Sequence, residues 1–401
     1  VAVPPISADD LDLARRRGKG VVKHTPVISS AMLSQRIGGE IVLKAENLQR
    51  TGSFKIRGAM NKVASLLDQH PHGVTAGSAG NHAQALAFAA RQMGLACEIH
   101  VPDGASIAKI EACRSYGATV VEGGATLTEA MARAQERADE LEMVFCHPFD
   151  DPLVIAGQGT LGLELSGELA ELAVVIVPLG GGGLAAGTAI AVKTARRDVR
   201  VVGVQAAVCA PYAGGVPPDG PVVTLADGIA VKHPGAVTRP LVERWLDDVV
   251  VVDENTIADA MVLLMDHTKL YVEGAGAVGV AALLSGAVEP AATGTTCVVL
   301  SGGNVDLGVV PGLIRRHETA AGRRLAVLAR VDDRPGMLAG LLAAFGAAGA
   351  NLIEVTHRRE GLELHVRETA VEATFEVRGR DHAERVLAAV QAAGYPGVRE
   401  L

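Results

Sequence analysis

Cysteine is scarce in this sequence and poorly placed for structural use. Cys97, Cys113, Cys146, Cys209 and Cys297 are odd in number, scattered, and never form a C-x-x-C pair. That pattern argues against a disulfide framework and a zinc site, and the five read as buried thiols in a reducing compartment. A dominant charge of one sign is also missing. The net charge of −8 comes from acidic and basic residues mixed along the chain, which leaves no electrostatic footprint for nucleic acid or for an anionic membrane. The N-terminal stretch "VAVPPISADDLDLARRR" has no apolar h-region, so no secretory signal is expected and a cytoplasmic location follows. One long uncharged run exists, Leu172 to Val192, but Pro178 and four consecutive glycines interrupt it. It resolves into a buried strand, a glycine turn and an Ala-rich helix, not a bilayer span.

What is abundant is glycine, 47 residues in a chain of 401 that is 49% hydrophobic. Such a chain can bury more than one core, and two or three domains are expected. A strand, glycine loop, helix pattern recurs through the first 320 residues, with strands at "EIVLKAE", "HGVTAG", "CEIHVP", "ATVVEG", "AVVIVP", "VRVVGVQ" and "TCVVLSG". This alternation predicts an α/β fold of open parallel sheets with helices on both faces, whose ligands bind at the carboxyl ends of the strands. After Pro311 the composition turns polar in "GLIRRHETAAGRR", a helix end and linker. Beyond it, "RLAVLARVDD", "GMLAGLLAAFGAAG", "ANLIEVTHRRE", "VEATFEVRGR" and "DHAERVLAAVQAAG" alternate as a βαββαβ module of ferredoxin-like type.

Four loops carry candidate chemistry. In "TGSFKIRGA", Ile56, Ala59, Met60 and Val63 keep helical spacing, so Ser53 is the expected N-cap and Lys55 lies in the first turn. A cation there is opposed by the helix dipole, and desolvation lowers its pKa further, which suits a Schiff-base lysine. A surface lysine in a poor position is the other reading of that segment. "GGGGL", Gly180, Gly181, Gly182, Gly183 and Leu184, offers converging backbone N–H groups at a helix start, fit for a phosphate. A dinucleotide site would want an acidic residue at the end of the next strand, where Gln205 stands instead, and a plain packing turn is the third reading. In "GSAGNHAQA", Ser78, Ala79, Gly80, Asn81 and His82 open a helix at a strand end, where N–H donors can hold a carboxylate and Asn81 can bond a ring hydroxyl. His82 receives no acid/base role. Ser301 follows the strand "CVVL" directly, with its hydroxyl facing the cleft.

Together, and in this order, "SFKIRGA", "SAGNHAQ", "GGGGL", "ADGIAV", "EGAGA" and "SGGN" resemble the pyridoxal-phosphate threonine dehydratases of the tryptophan synthase β-like fold. The resemblance spans roughly Ile6 to Arg315. It implies a catalytic domain over 1–320, with a smaller subdomain of roughly 44–150 inserted, and pyridoxal 5'-phosphate joined to Lys55. Phe54 would lie beside the cofactor ring, Asn81 on its 3-hydroxyl, Gly180 to Leu184 on its phosphate and Ser301 on its pyridine nitrogen. Gly228 and Glu273, in "ADGIAV" and "EGAGA", join the cofactor set. Ser78 to His82 would hold the substrate carboxylate. Residues 324–401 look like an ACT domain, which implies an amino-acid effector, isoleucine or valine, and a homo-dimer or homo-tetramer.

The activity implied is elimination of water and ammonia from L-threonine to give 2-oxobutanoate, with slower action on L-serine, as in the first step of isoleucine biosynthesis. By the same likeness the cofactor phosphate is the acid for the leaving hydroxyl. Serine racemase and serine dehydratase resemble the same region. Racemases carry a serine where this chain has Ala79, and an acidic metal ligand where it has Gln205, so elimination is favoured and no metal is expected. A nicotinamide-binding oxidoreductase and a non-catalytic amino-acid sensor are the alternatives from other classes.

Overall fold

Strands form where β-branched residues run together without a helical period. In chain order they are β1 (Val27–Ser29), β2 (Glu40–Ala45), β3 (Gly73–Gly77), β4 (Ala96–Val101), β5 (Thr119–Glu122), β6 (Val144–Phe145), β7 (Leu172–Pro178), β8 (Arg200–Ala206), β9 (Asp248–Val252) and β10 (Thr295–Leu300). All seven expected strands form. The sequence pattern missed β1, β6 and β9, of which the first two have three and two residues. The computed structural model describes residues 6–359 and 364–401, and its contacts divide them into two units that meet between Asp306 and Leu307. The first five residues of the N-terminal stretch, and Glu360 at the end of "ANLIEVTHRRE", lie outside the described residues.

The first unit holds two sheets. The larger runs β1-β2-β10-β7-β8-β9 and the smaller β5-β4-β3-β6. Every pairing in them is parallel except β1 with β2, an antiparallel edge that the parallel expectation did not include. In the large sheet the strand order reverses at β7, whose neighbours are β10 and β8. In the small one it reverses at β3, whose neighbours are β6 and β4. Ligand crevices in open α/β sheets form at the carboxyl ends beside such reversals. The loops there are Gly180–Leu184 after β7, Ser301–Asn304 after β10, Ser78–His82 after β3 and His147–Asp150 after β6.

Three helices fix these loops relative to one another. The helix Pro152–Glu168 is flanked by Lys55–Ala64 on one side and Gly183–Ala195 on the other. Both contacts are backbone to backbone: a Cβ on Gly157 would stand 2.6 Å from the Arg57 carbonyl oxygen, and one on Gly187 only 2.3 Å from that of Ile155. Glycine permits this approach, and any side chain would push the lysine helix or the glycine-loop helix away from its neighbour.

The second unit has β11 (Arg324–Asp332), β12 (Asn351–Arg358), β13 (Glu368–Glu376) and β14 (Arg399–Glu400) in one antiparallel sheet, β12-β13-β11-β14. Helices Met337–Ala347 and Arg380–Ala392 complete the βαββαβ order, around a core that includes stacked Phe345 and Phe375. The helix Val310–Ala320 belongs to this unit. Among the described residues no helix is long and apolar enough to cross a membrane.

Candidate active site

Lys55 is the first residue of its helix, as the spacing predicted. Ser53 is not its N-cap. The helix is preceded by Phe54, while Ser53 is extended and bridges Gly302, and its buried Oγ has no partner. The backbone is drawn instead to the loop after β10: Phe54 N–H donates to the Ser301 carbonyl at 3.0 Å, and Gly303 N–H to that of Gly52 at 2.9 Å. This pairing ties the backbone at Ser53 and Phe54 to the facing loop, and the helix begins one residue later than a Ser53 cap requires.

The Lys55 side chain is half-buried with its amine enclosed. Nζ donates to the Pro148 carbonyl at 2.8 Å and lies 5.3 Å from the centre of the Phe54 ring. Burial lowers its pKa to about 8, against a smaller opposing pull from Glu273. Roughly a tenth of such an amine is neutral at pH 7, hundreds of times the fraction for an ordinary lysine. Loss of hydration is therefore the larger lever, and the helix start adds to it.

Around this amine the other loops converge. Asn81 Nδ2 donates to Glu273 Oε1 at 2.7 Å, and Asn81 Oδ1 accepts from Asn304 Nδ2 at 2.7 Å. Glu273 is buried, which with neighbouring Asp227 raises its pKa to about 7. Gly228 backs onto the same carboxylate, since a Cβ there would stand 3.7 Å from Glu273 Oε1. Ser301 is buried beside Gly302, whose carbonyl accepts from Glu273 N–H at 3.0 Å. The fold thus brings Lys55, Phe54, Asn81, Gly228, Glu273 and Ser301 to one locus.

The glycine loop is packed so closely against its neighbours that no side chain fits. A Cβ on Gly181 would fall 2.2 Å from the Phe149 ring, one on Gly180 2.8 Å from Ile229 Cα, and one on Gly182, at φ +95°, 2.7 Å from Tyr212 Oη. Gly183 and the buried Leu184 start the following helix, whose first N–H groups have no partner inside it. An anion with oxygen acceptors fits this cradle, and the enclosed amine fits an aldehyde. The residues present therefore suit pyridoxal phosphate.

The loop after β3 needs a correction. Ser78 N–H donates to the His100 carbonyl at 3.0 Å, and Gly80 N–H to Ser78 Oγ at 3.3 Å. These two groups are not free for a carboxylate, because the sheet and the turn have taken them. The N–H groups of Ala79, Asn81 and His82 are the ones left for that task at the start of helix Asn81–Met93. The His82 ring bonds the Cys146 carbonyl at 2.9 Å, and burial with nearby Lys55 pushes its pKa down to about 3. The ring is therefore neutral at ordinary pH.

Gln205 is absorbed locally. Its Oε1 accepts from Tyr212 N–H at 2.9 Å and Ala213 N–H at 3.2 Å, and its Nε2 donates to the Leu179 carbonyl at 3.2 Å. The amide thereby ties together a turn that an acidic residue could have given to a cation. Elsewhere, His24, Glu164 and Glu168 come close enough to hold a metal ion. The Lys44 ammonium already stands there, 2.7 Å from Glu164 and 3.2 Å from Glu168.

Sequence reasoning passed over Arg57, Pro148, Phe149 and Asn304. Arg57 is fully buried and forks onto both Glu46 and Glu164, at 2.6 to 2.9 Å. It lies inside the lysine motif, but its partner Glu164 is over a hundred residues away in the chain. Pro148 contributes only a carbonyl, for which no residue type is a signal.

A family model described as pyridoxal-phosphate dependent enzyme matches residues 19–302, and an ACT domain model matches residues 326–394. The L-threonine ammonia-lyase of Geobacter sulfurreducens is 44% identical over 380 residues, covering 93% of this chain and 94% of that protein. Among solved structures, a threonine deaminase from T.th. superposes with a TM-score of 0.70 at 39% identity, over 75% of this chain and 99% of that one. Maize serine racemase gives 0.72 at 33% identity, over 80% of this chain and 99% of that one.

Proposed function

Because the chain belongs to the pyridoxal-phosphate-dependent enzymes and carries an ACT domain, we propose that it is a threonine ammonia-lyase, converting L-threonine to 2-oxobutanoate and ammonia. One observation carries the reading: a dehydrated lysine amine with a pKa of about 8 stands where the loops after β2, β3, β6, β7 and β10 meet. When bound, the cofactor supplies a conjugated electron sink for the pair left at Cα.

The chain's own residues do the rest. Gly180 to Leu184 would hold the cofactor phosphate through backbone N–H groups, and Phe54, Gly228 and Glu273 would line its ring. The N–H groups of Ala79, Asn81 and His82 hold the substrate carboxylate, so that the Cα–H bond faces Lys55. Lys55 Nζ, as the neutral amine, removes that proton. Its lowered pKa keeps a usable neutral fraction near pH 8. Ser301 would offer the ring nitrogen a neutral hydroxyl, which cannot stabilise a full positive charge as a carboxylate would, and this would favour loss of the β-hydroxyl. Ala79 has no proton to give on the opposite face of Cα, which favours elimination over inversion. L-Serine is the slower substrate, since one methyl group discriminates by only ~1 to 3 kcal/mol.

From the sequence we place the catalytic domain at 1–320, with its smaller subdomain at roughly 44–150, and the regulatory domain at 324–401, although by its contacts the helix Val310–Ala320 groups with the regulatory unit. Isoleucine or valine is the effector read by the latter, in a homo-dimer or homo-tetramer of the cytoplasm. The test is ketoacid release from threonine by wild type and Lys55→Ala, with and without isoleucine, valine and AMP. The expected result is turnover by wild type and none by the variant, at least ~10³-fold down. Retained turnover in Lys55→Ala, or D-serine as the main product from L-serine, would overturn the reading.

A further inference from the structure

Asn304 lies in the loop after β10. Its side-chain amide has two hydrogens, and both are donated: one to the Thr51 carbonyl at 2.9 Å, the other to Asn81 Oδ1 at 2.7 Å. Turning that amide over would lose both bonds and set its oxygen against two acceptors. Its orientation is therefore determined, and it determines the next one. Asn81 must present Oδ1 to Asn304, which leaves Nδ2 to face Glu273 Oε1 at 2.7 Å. One Nδ2 hydrogen remains.

We propose that Asn304 is a positioning residue that locks the Asn81 amide with its nitrogen side toward the cofactor, so that an N–H donor and not a carbonyl oxygen meets the cofactor's ring oxygen. The chain of bonds runs in one direction, Asn304 to Asn81 to Glu273, because each amide can donate only from its nitrogen. An oxygen that carries negative charge is stabilised by such a donor and repelled by a carbonyl. The same Asn304 nitrogen also holds the segment that leads into Lys55. Thr51 has φ +58°, a costly conformation for a β-branched residue, and Gly52 follows at φ +73°. A Cβ on Gly52 would fall 2.4 Å from Asn304 Oδ1, so the two loops are in direct contact. One side chain thus couples the backbone ahead of the lysine to the asparagine on the opposite loop.

The inference rests on reading Lys55 and Asn81 as cofactor contacts, and its test separates the two. Apoprotein of wild type, Asn304→Ala, Asn304→Asp, Asn81→Ala and the Asn81→Ala/Asn304→Ala double variant is titrated with pyridoxal phosphate, reading affinity and the position and pH dependence of the visible band. Asn304→Ala is expected to weaken affinity roughly tenfold and to shift the pH midpoint of the band, the loss of one charge-assisted contact. The isosteric Asn304→Asp should do more, since a carboxylate accepts from Asn81 Nδ2 and turns that amide over. In the Asn81→Ala background, Asn304→Ala should add less than about twofold, the non-additivity of a shared contact. Unchanged affinity and band in both Asn304 variants, or the same loss with and without Asn81, would overturn the proposal. Borohydride fixation mapped to Lys55 in wild type reports separately on the cofactor reading.

Discussion

The Lys44 ammonium is fully buried, between Glu164 at 2.7 Å and Glu168 at 3.2 Å, and it also donates to the Thr25 carbonyl at 2.7 Å. The Lys55 amine is enclosed as well, but it rests on the neutral Pro148 carbonyl and makes no ion pair among the described residues. The first lysine belongs to a charged network with Arg57, Glu46 and Glu164 that clamps β2, the lysine helix and the helix Pro152–Glu168 together. The second belongs to the cleft those elements surround. Burial is common to both, so burial alone does not produce a nucleophile. The partner decides: carboxylates compensate the charge at Lys44, whereas at Lys55 the dehydrated charge is left poorly compensated and the pKa falls to about 8.

The largest effects should therefore cross over between the two sites. Lys55→Met removes turnover, and by linkage it does not cost the apoprotein stability. A lysine whose folded pKa is depressed binds its proton more tightly when unfolded, so it destabilises the fold below about pH 8, and that penalty fades as the pH rises from 8 toward 10.5. At pH 6.5 the unfolding midpoint of the Lys55→Met apoprotein should equal or exceed that of wild type. Lys44→Met should instead lose about 1 to 3 kcal/mol by denaturant unfolding, because the Thr25 carbonyl loses its donor and Glu164 and Glu168 lose a buried cation, although Arg57 still pairs with Glu164. A Lys44→Met protein as stable as wild type would erase the distinction between the sites.

A smaller effect sharpens the same contrast. Capture of pyridoxal phosphate by wild-type apoprotein should quicken about tenfold per pH unit below pH 8 and level off above it, as the neutral amine fraction saturates. A rate still climbing at pH 10 would mean an ordinary lysine. The smallest expected signal is at Ala79. Ala79→Ser places a hydroxyl on the face of Cα away from Lys55, and a trace of D-serine from L-serine is expected by chiral chromatography. Its complete absence would remove the support for a two-face argument.

Much of the site was legible because it is written in contiguous segments. The glycine run, the strand-to-serine junction at Leu300–Ser301 and the lysine at a helix start each show in a few neighbouring residues, and each obeys a local rule of spacing or backbone freedom. The strands β1 and β6 escaped because two or three residues carry no period. The Ser53 cap failed for a related reason: a distant loop pairs with the backbone at Ser53 and Phe54, and the helix begins one residue later than the cap requires. Ser78 and Gly80 fell the same way, their N–H groups consumed by His100 and Ser78 Oγ.

Residue order alone determined that this chain has strands ending in glycine loops, a lysine against the positive end of a helix and a separate βαββαβ module, because periodicity and backbone freedom are properties of neighbours. Only the tertiary structure decided which amine is dehydrated without a counter-ion, which N–H groups stay free, and which way the Asn81 amide faces. Those outcomes depend on groups dozens to hundreds of residues apart, and hydration, charge compensation and hydrogen-bond direction exist only once such groups are within a few ångströms of one another.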